Sequence, residues 1–169
     1  EHQLVGIKLV IANSTHRTPS TCIDPTVKNF QWGDLNQGLH EAYDRDAFSA
    51  VLLDADGNVT EGPGFNVFAY YEGRLISPPD GILQGITRAT VIELAEELGI
   101  PCSIEPMSAD RLRAADEIFL TSTAGGVMPV TVLDGQTIAD GEPGKVTMLV
   151  RELYWDAHDR SQWTAAVNY

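Results

Sequence analysis

Apolar positions along the chain change their period several times, and each change marks an element. From Leu4 to Ala12 the alternation suits a strand, and from Asp34 to Asp46 the pattern brings Leu35, Leu39 and Ala42 to one side of a helix. Ala50 to Asp54 and Phe65 to Tyr71 read as two strands joined through the Asp56-Gly57 turn. Glu72-Gly73 then turns the chain into a short strand from Arg74 to Ser77. The clearest helical pattern runs from Ala89 to Leu98, with Val91, Leu94, Ala95 and Leu98 on one face. Gly99 suits its C-terminal cap and Pro101 prevents continuation. Glu117 to Ser122 reads as a buried strand, Gly125-Gly126 as a turn and Met128 to Leu133 as a further strand. The last pattern, Val146 to Trp155, predicts an amphipathic helix through Val146, Leu149, Val150, Leu153 and Tyr154. Strands alternating with helices, without internal repeats, predict an α/β (or α+β) class.

Composition narrows the picture. A chain of 169 residues with 43% apolar content is long enough to bury a core of its own as one domain. Its 24 acidic against 11 basic side chains give a formal charge of -13, which repels phosphate backbones and argues against a nucleic-acid partner. No apolar run approaches a membrane span, and the first residues lack the order of a signal peptide. Cys22 and Cys102 have neither CxxC nor metal spacing, which predicts reduced thiols and a cytoplasmic protein. His2, His16, His40 and His158 lack metal-ligand spacing, so no metal site is expected. GxGxxG, GxxxxGK[ST] and GxSxG are all absent.

Candidate chemistry begins at Lys28, one of three lysines, in the run Ile23-Asp24-Pro25-Thr26-Val27-Lys28-Asn29-Phe30-Gln31-Trp32-Gly33-Asp34-Leu35. Apolar, aromatic-flanked surroundings disfavour an ammonium, and an amine so tuned forms Schiff bases with aldehydes. The alternative is a lysine whose stem packs while its head reaches water. Where Gly85-Ile86-Thr87-Arg88 enters the best helix, the free N–H groups of Ile86 and Thr87 can face an anion with the helix dipole behind them. The Thr87 hydroxyl either adds a bond there or caps the helix.

Four ordered segments carry a resemblance: Lys28 with its flanks, Leu52 to Asn66 including Thr60-Glu61-Gly62-Pro63-Gly64-Phe65-Asn66, Gly81 to Arg88, and Thr121-Ser122-Thr123-Ala124-Gly125-Gly126. In this order they resemble the large domain of the fold-type IV pyridoxal-phosphate enzymes, which include branched-chain and D-amino-acid aminotransferases and aminodeoxychorismate lyase. The string Val-Lys-Asn-Phe-Gln-Trp-Gly-Asp-Leu looks most like the (R)-selective amine transaminases, although Gln37 and Asn36 are atypical of them.

The resemblance implies a mixed-sheet or barrel-like core with flanking helices, spanning residues 1–169 as a cofactor-binding domain. The family's smaller N-terminal domain, with the phosphate arginine it supplies, would be absent; Arg17 and Arg88 do not match that arginine. The implied cofactor is pyridoxal 5'-phosphate, held as a Schiff base by Lys28, which is also the catalytic base. Glu61 would hold the ring nitrogen with Asn66 beside it, and Leu83 would lie on the ring face. Gly85, Ile86, Thr87, Ser122 and Thr123 would take the phosphate. Phe30 and Trp32, with the small residues Ala124, Gly125 and Gly126 opposite, suggest an apolar substrate pocket that also takes in Gly62, unless both aromatics are core. The implied reaction moves an amino group from a primary amine, of (R) configuration, to an alpha-keto acid such as pyruvate, in a homodimer with its site near the interface. The alternatives are a branched-chain or D-amino-acid aminotransferase, aminodeoxychorismate lyase, or a silent dimerisation domain. Joint retention of Lys28, Glu61, Thr87 and Thr123 argues against the last.

Overall fold

A computed structural model describes residues 5–166; Leu4, where the first expected strand begins, and His2 lie outside the described residues. In chain order the elements are β1 (Ile7–Ile11), α1 (Gly33–Asp44), β2 (Ser49–Val51), β3 (Asn66–Tyr71), β4 (Arg74–Ser77) and α2 (Ile86–Glu97). They continue with β5 (Cys102–Ile104), α3 (Ala109–Arg113), β6 (Glu117–Ser122), β7 (Gly126–Leu133), β8 (Gln136–Thr137) and α4 (Lys145–Asp156), which runs into a 3-10 turn at Ala157–Asp159. The strands form one mixed sheet in the order β2-β1-β7-β6-β3-β4-β5, with β8 paired to β7. Helices flank it, as expected.

Both sheet faces are buried, and the period of two sorts the side chains between them. Val67, Ala69, Ile118, Leu120 and Val130 turn to one core with Ile7, Leu9 and Ile11 of β1. Phe68, Phe119 and Val127 turn the other way, beneath Val91, Leu94 and Ala95 of α2 and Val150 and Tyr154 of α4. The Phe68 and Phe119 rings stack there at 5.0 Å between centroids. A third cluster seats Leu35 and Ala42 of α1 on Val10, Ala50 and Leu52.

Two expectations change. The strands around Asp56-Gly57 are not hairpin partners: β2 pairs β1 in parallel, whereas β3 lies antiparallel to β4 and β6. The turn closes only a local bridge, Leu53 to Val59, because Asp54 collects the N–H groups of Asp56 and Asn58. On α4 the buried stripe is Thr147, Val150 and Tyr154, and Leu149 faces outward. Thr147 sits inside because Glu117 accepts its hydroxyl at 2.7 Å. Among the described residues no helix is long and apolar enough to cross a membrane.

Pairing of β3 with β6 aligns Asn66 with Thr121, so the start of one strand and the end of the other share one end of the sheet. α2 begins there, and residues of the segment that follows β1, from Arg17 to Trp32, line a cleft with it.

Candidate active site

This cleft at the sheet end is lined by residues from all four sequence segments: Lys28 and Trp32, Glu61 and Asn66, Leu83 with Gly85 to Thr87, and Thr121 to Thr123. Its floor follows from a single turn. Gly62-Pro63-Gly64-Phe65 closes with reciprocal backbone bonds of 3.3 Å between Gly62 and Phe65. Pro63 suits the second position of such a turn, and Gly64, at φ +81°, the third. A Cβ on Gly62 would overlap the Phe65 ring and the Ala50 carbonyl, so only glycine fits. Folding back this tightly brings Asn66 beside Glu61, with Asn66 Nδ2 donating to Glu61 Oε2 at 3.4 Å.

Both side chains then fix Leu83. Its N–H donates to Glu61 Oε2 at 2.8 Å, and its carbonyl accepts from Asn66 Nδ2 at 2.9 Å. The remaining oxygen of Glu61, Oε1, accepts from Arg17 Nη2 at 3.0 Å. Burial pushes the Glu61 carboxyl above the usual carboxylate range, outweighing the Leu83 N–H and the Arg17 guanidinium, which pull it down.

At the other end of the cleft, α2 starts at Gly85, whose extended conformation is followed by no side-chain cap. The Thr87 hydroxyl therefore does not cap the helix, and the first N–H groups remain available to an anion. A Cβ on Gly85 would strike Asn66 Oδ1. Arg88 fastens the loop in front of the helix: its guanidinium donates to Ser77 Oγ, Gln84 Oε1 and the Pro78 carbonyl, each at 2.9 Å. On the facing strand end Ser122 Oγ accepts from Gly125 N–H at 2.9 Å, leaving its own proton to donate.

Arg17 Nε and Thr121 Oγ1, both on cleft-lining residues, are buried without a hydrogen-bond partner among the described residues. The open polar groups that suit a polar ligand are the uncapped N–H groups at the start of α2 and the hydroxyls of Thr87, Ser122 and Thr123.

Of the residues the sequence singles out, Lys28, Trp32, Glu61, Gly62, Asn66, Leu83, Gly85, Ile86, Thr87, Ser122 and Thr123 line the cleft. Phe30, Ala124 and Gly125 do not line it, and Phe30 is fully exposed, at 103%. Lys28 itself is exposed, so this chain does not bury it as its apolar flanks suggest. The reason lies in the segment: Val27 and Trp32, which line the cleft with it, also stand open to solvent, as does Phe30, which does not line it. Sequence reading sets Arg17 aside and gives Asp34 and Thr121 no role. Nothing local marks Arg17 and Asp34, since their meaning depends on contacts across 17 and 44 residues.

Comparison with known proteins gives the same constellation a family. The model of amino-transferase class IV matches residues 2–133. The chain belongs to that family. Among class IV relatives, a putative branched-chain-amino-acid aminotransferase of Methanocaldococcus jannaschii is 36% identical over 160 residues, covering 94% of this chain and 54% of its own. The branched-chain-amino-acid aminotransferase of Escherichia coli is 31% identical, over 96% of this chain and 55% of its own. Among solved structures, an E. coli branched-chain amino acid aminotransferase superposes with a TM-score of 0.94 at 30% identity, covering 99% of this chain and 58% of its own. A T.th. branched-chain amino acid aminotransferase with pyridoxamine 5'-phosphate superposes at 0.89, with 32% identity over 95% of this chain and 54% of its own. The chain thus spans about half the length of the class IV relatives it matches.

Proposed function

We propose that the chain is the cofactor-binding part of a pyridoxal-phosphate-dependent transaminase, in which an amino group passes between an amine and an alpha-keto acid. The observation that carries this reading is the meeting, in one cleft, of an amine (Lys28), a buried carboxyl (Glu61) and an uncapped helix N-terminus (Gly85 to Thr87). These are the three contacts an aldehyde-bearing pyridine phosphate requires.

When bound, pyridoxal phosphate supplies an electron sink that acidifies the carbon bearing the amine. The protein does the rest. Lys28 would hold the cofactor through its amine and, once released, carry the proton off the substrate carbon and return it. Glu61 would keep a proton on the ring nitrogen, with Asn66 and the Leu83 N–H fixing the carboxyl's direction. The N–H groups of Ile86 and Thr87, with the hydroxyls of Thr87, Thr123 and Ser122, would take the phosphate. Leu83 would lie against the ring.

For the substrate we propose a primary amine of (R) configuration, with pyruvate as acceptor, on the strength of the Val27 to Leu35 string and of Trp32 in the cleft wall. A branched-chain amino acid is the second reading, supported by the names of the relatives at 31% and 36% identity. The relatives' greater length and the exposed, cleft-lining Val27 and Ile86 support a site completed by residues outside this chain, from a small domain and a second subunit. Incubation with pyridoxal phosphate, borohydride reduction and peptide mapping test the cofactor reading: an adduct on Lys28 is expected, and an adduct elsewhere or none overturns it. Assay of the protein with (R)-1-phenylethylamine, L-leucine, D-alanine and aminodeoxychorismate separates the substrates. Turnover of L-leucine alone would replace the first substrate reading with the second.

A further inference from the structure

Glu61 does not stand alone. It is one end of a buried chain of three charges that runs from the cleft into the protein. Arg17 holds Glu61 Oε1 through Nη2 at 3.0 Å and Asp34 Oδ2 through Nη1 at 2.7 Å, and the three side chains are only 9%, 8% and 7% exposed. Asp34 does not line the cleft. It sits in the first turn of α1, where its carboxylate also accepts the N–H groups of Thr18 at 2.7 Å and Leu35 at 2.8 Å. Arg17 is fixed along its backbone as well, its N–H donating to the Leu53 carbonyl at 2.8 Å.

We propose that Arg17 is a positioning residue whose guanidinium is divided between Asp34 and Glu61, so that Asp34, from outside the cleft, sets the charge that Glu61 presents to the cofactor's ring nitrogen. The proposal rests on the cofactor reading above. Two carboxylates share one guanidinium, so with both ionised this buried group carries one negative charge in excess. A protonated ring nitrogen is the cation that would balance it, giving a row of alternating charges in a site where water screens little. Geometry also explains why the cation here is an arginine. Its planar fork reaches both carboxylates at once, which a lysine ammonium on a flexible stem does not do in a fixed geometry.

The two charges act on Glu61 in opposite senses. Behind the dominant effect of burial, Arg17 pulls the Glu61 carboxyl down and Asp34 pushes it up. The ionisable groups near Glu61 are Arg17, from the segment after β1, and Asp34, from α1. Lys28 lines the same cleft, while β3 and the loop before α2 present the neutral Asn66 amide and Leu83 N–H.

The test is a titration of Glu61 by carbon-13 NMR in the protein without cofactor, with Glu61→Gln identifying the resonance. Arg17→Met should move the titration to higher pH, Asp34→Asn to lower pH, and Arg17→Lys to a position between wild type and Arg17→Met. Opposite movements separate charge tuning from loosened structure, which would move both variants alike or neither. Asp34→Asn preserves side-chain shape and decides the matter even if Arg17→Met does not fold: no downward movement overturns the proposal. The readout needs no cofactor, so failure of the wild-type protein to take up pyridoxal phosphate would overturn the cofactor reading separately.

Discussion

At the scale of single residues, Lys28 and Glu61 are separable. Lys28 is exposed on a loop and makes no contribution to the core, whereas Glu61 organises Asn66, Leu83 and Arg17 around itself. Lys28→Ala should therefore leave stability unchanged, abolish transamination and remove the borohydride-stable cofactor adduct. Glu61→Ala should leave the adduct on Lys28 but slow proton transfer by about 10² to 10⁴-fold, as loss of a proton-managing group does. A primary deuterium isotope effect at the substrate carbon that grows in Glu61→Ala would show the slowed step to be the proton transfer; no change in rate would remove Glu61 from the chemistry. That these two residues are legible in the chain owes to their short motifs, in which a turn or a helix start lies within a few residues. Arg17 and Asp34 are not legible, because an ion pair takes its role from a partner far along the chain.

At the scale of elements, legibility follows the range of the forces involved. Arg74–Ser77 and Glu117–Ser122 agree with the sequence pattern to the residue, since alternation and turn residues bound them locally. β5, of three residues and none buried, leaves no pattern to read, and α3 is too short to establish a helical period. The expected hairpin around Asp56-Gly57 fails for a different reason: β2 pairs in parallel with β1, a connection that needs the whole of α1 as its crossover. Helix starts also draw on distant groups. Glu117, at the start of β6, accepts Val146 N–H at 3.0 Å and Thr147 N–H at 2.7 Å, capping α4 from 29 residues away. Its negative charge lies at the positive end of the helix dipole, and Gly144 gives it room, since a Cβ there would overlap the carboxyl. Glu117→Ala should cost about 1–3 kcal/mol of stability, read by guanidinium denaturation. A loss below about 0.5 kcal/mol, the size of an ordinary surface change, would show that α4 needs no such cap.

Across the whole molecule, the charge of -13 and the local carboxylate knots respond to acid in opposite ways. Lowering the pH relieves general repulsion among the acidic side chains, but it also protonates carboxylates that the fold uses ionised. Glu41 is the sharpest case. It stands on α1 and receives the N–H groups of Asn13 and Ser14, at 2.8–3.0 Å, together with Arg45 Nη1 at 2.9 Å. Arg45 in turn reaches the Ile11 carbonyl and Asp134, so one carboxylate ties α1 to the end of β1 and to β7's following turn. Burial pushes Glu41 up, yet the bonds from Ser14, Asn13 and Arg45 prevail and hold it at about 2. Because the folded value lies below the unfolded one, Glu41 contributes stability that is complete above its ordinary value near 4.5 and is lost as the pH falls towards about 2. Denaturant unfolding of wild type and Glu41→Gln at pH 7 and at pH 3 checks the account. The variant should be less stable at pH 7, and the gap should narrow at pH 3. A gap of the same size at both values would mean that Glu41 acts by packing and not by its charge.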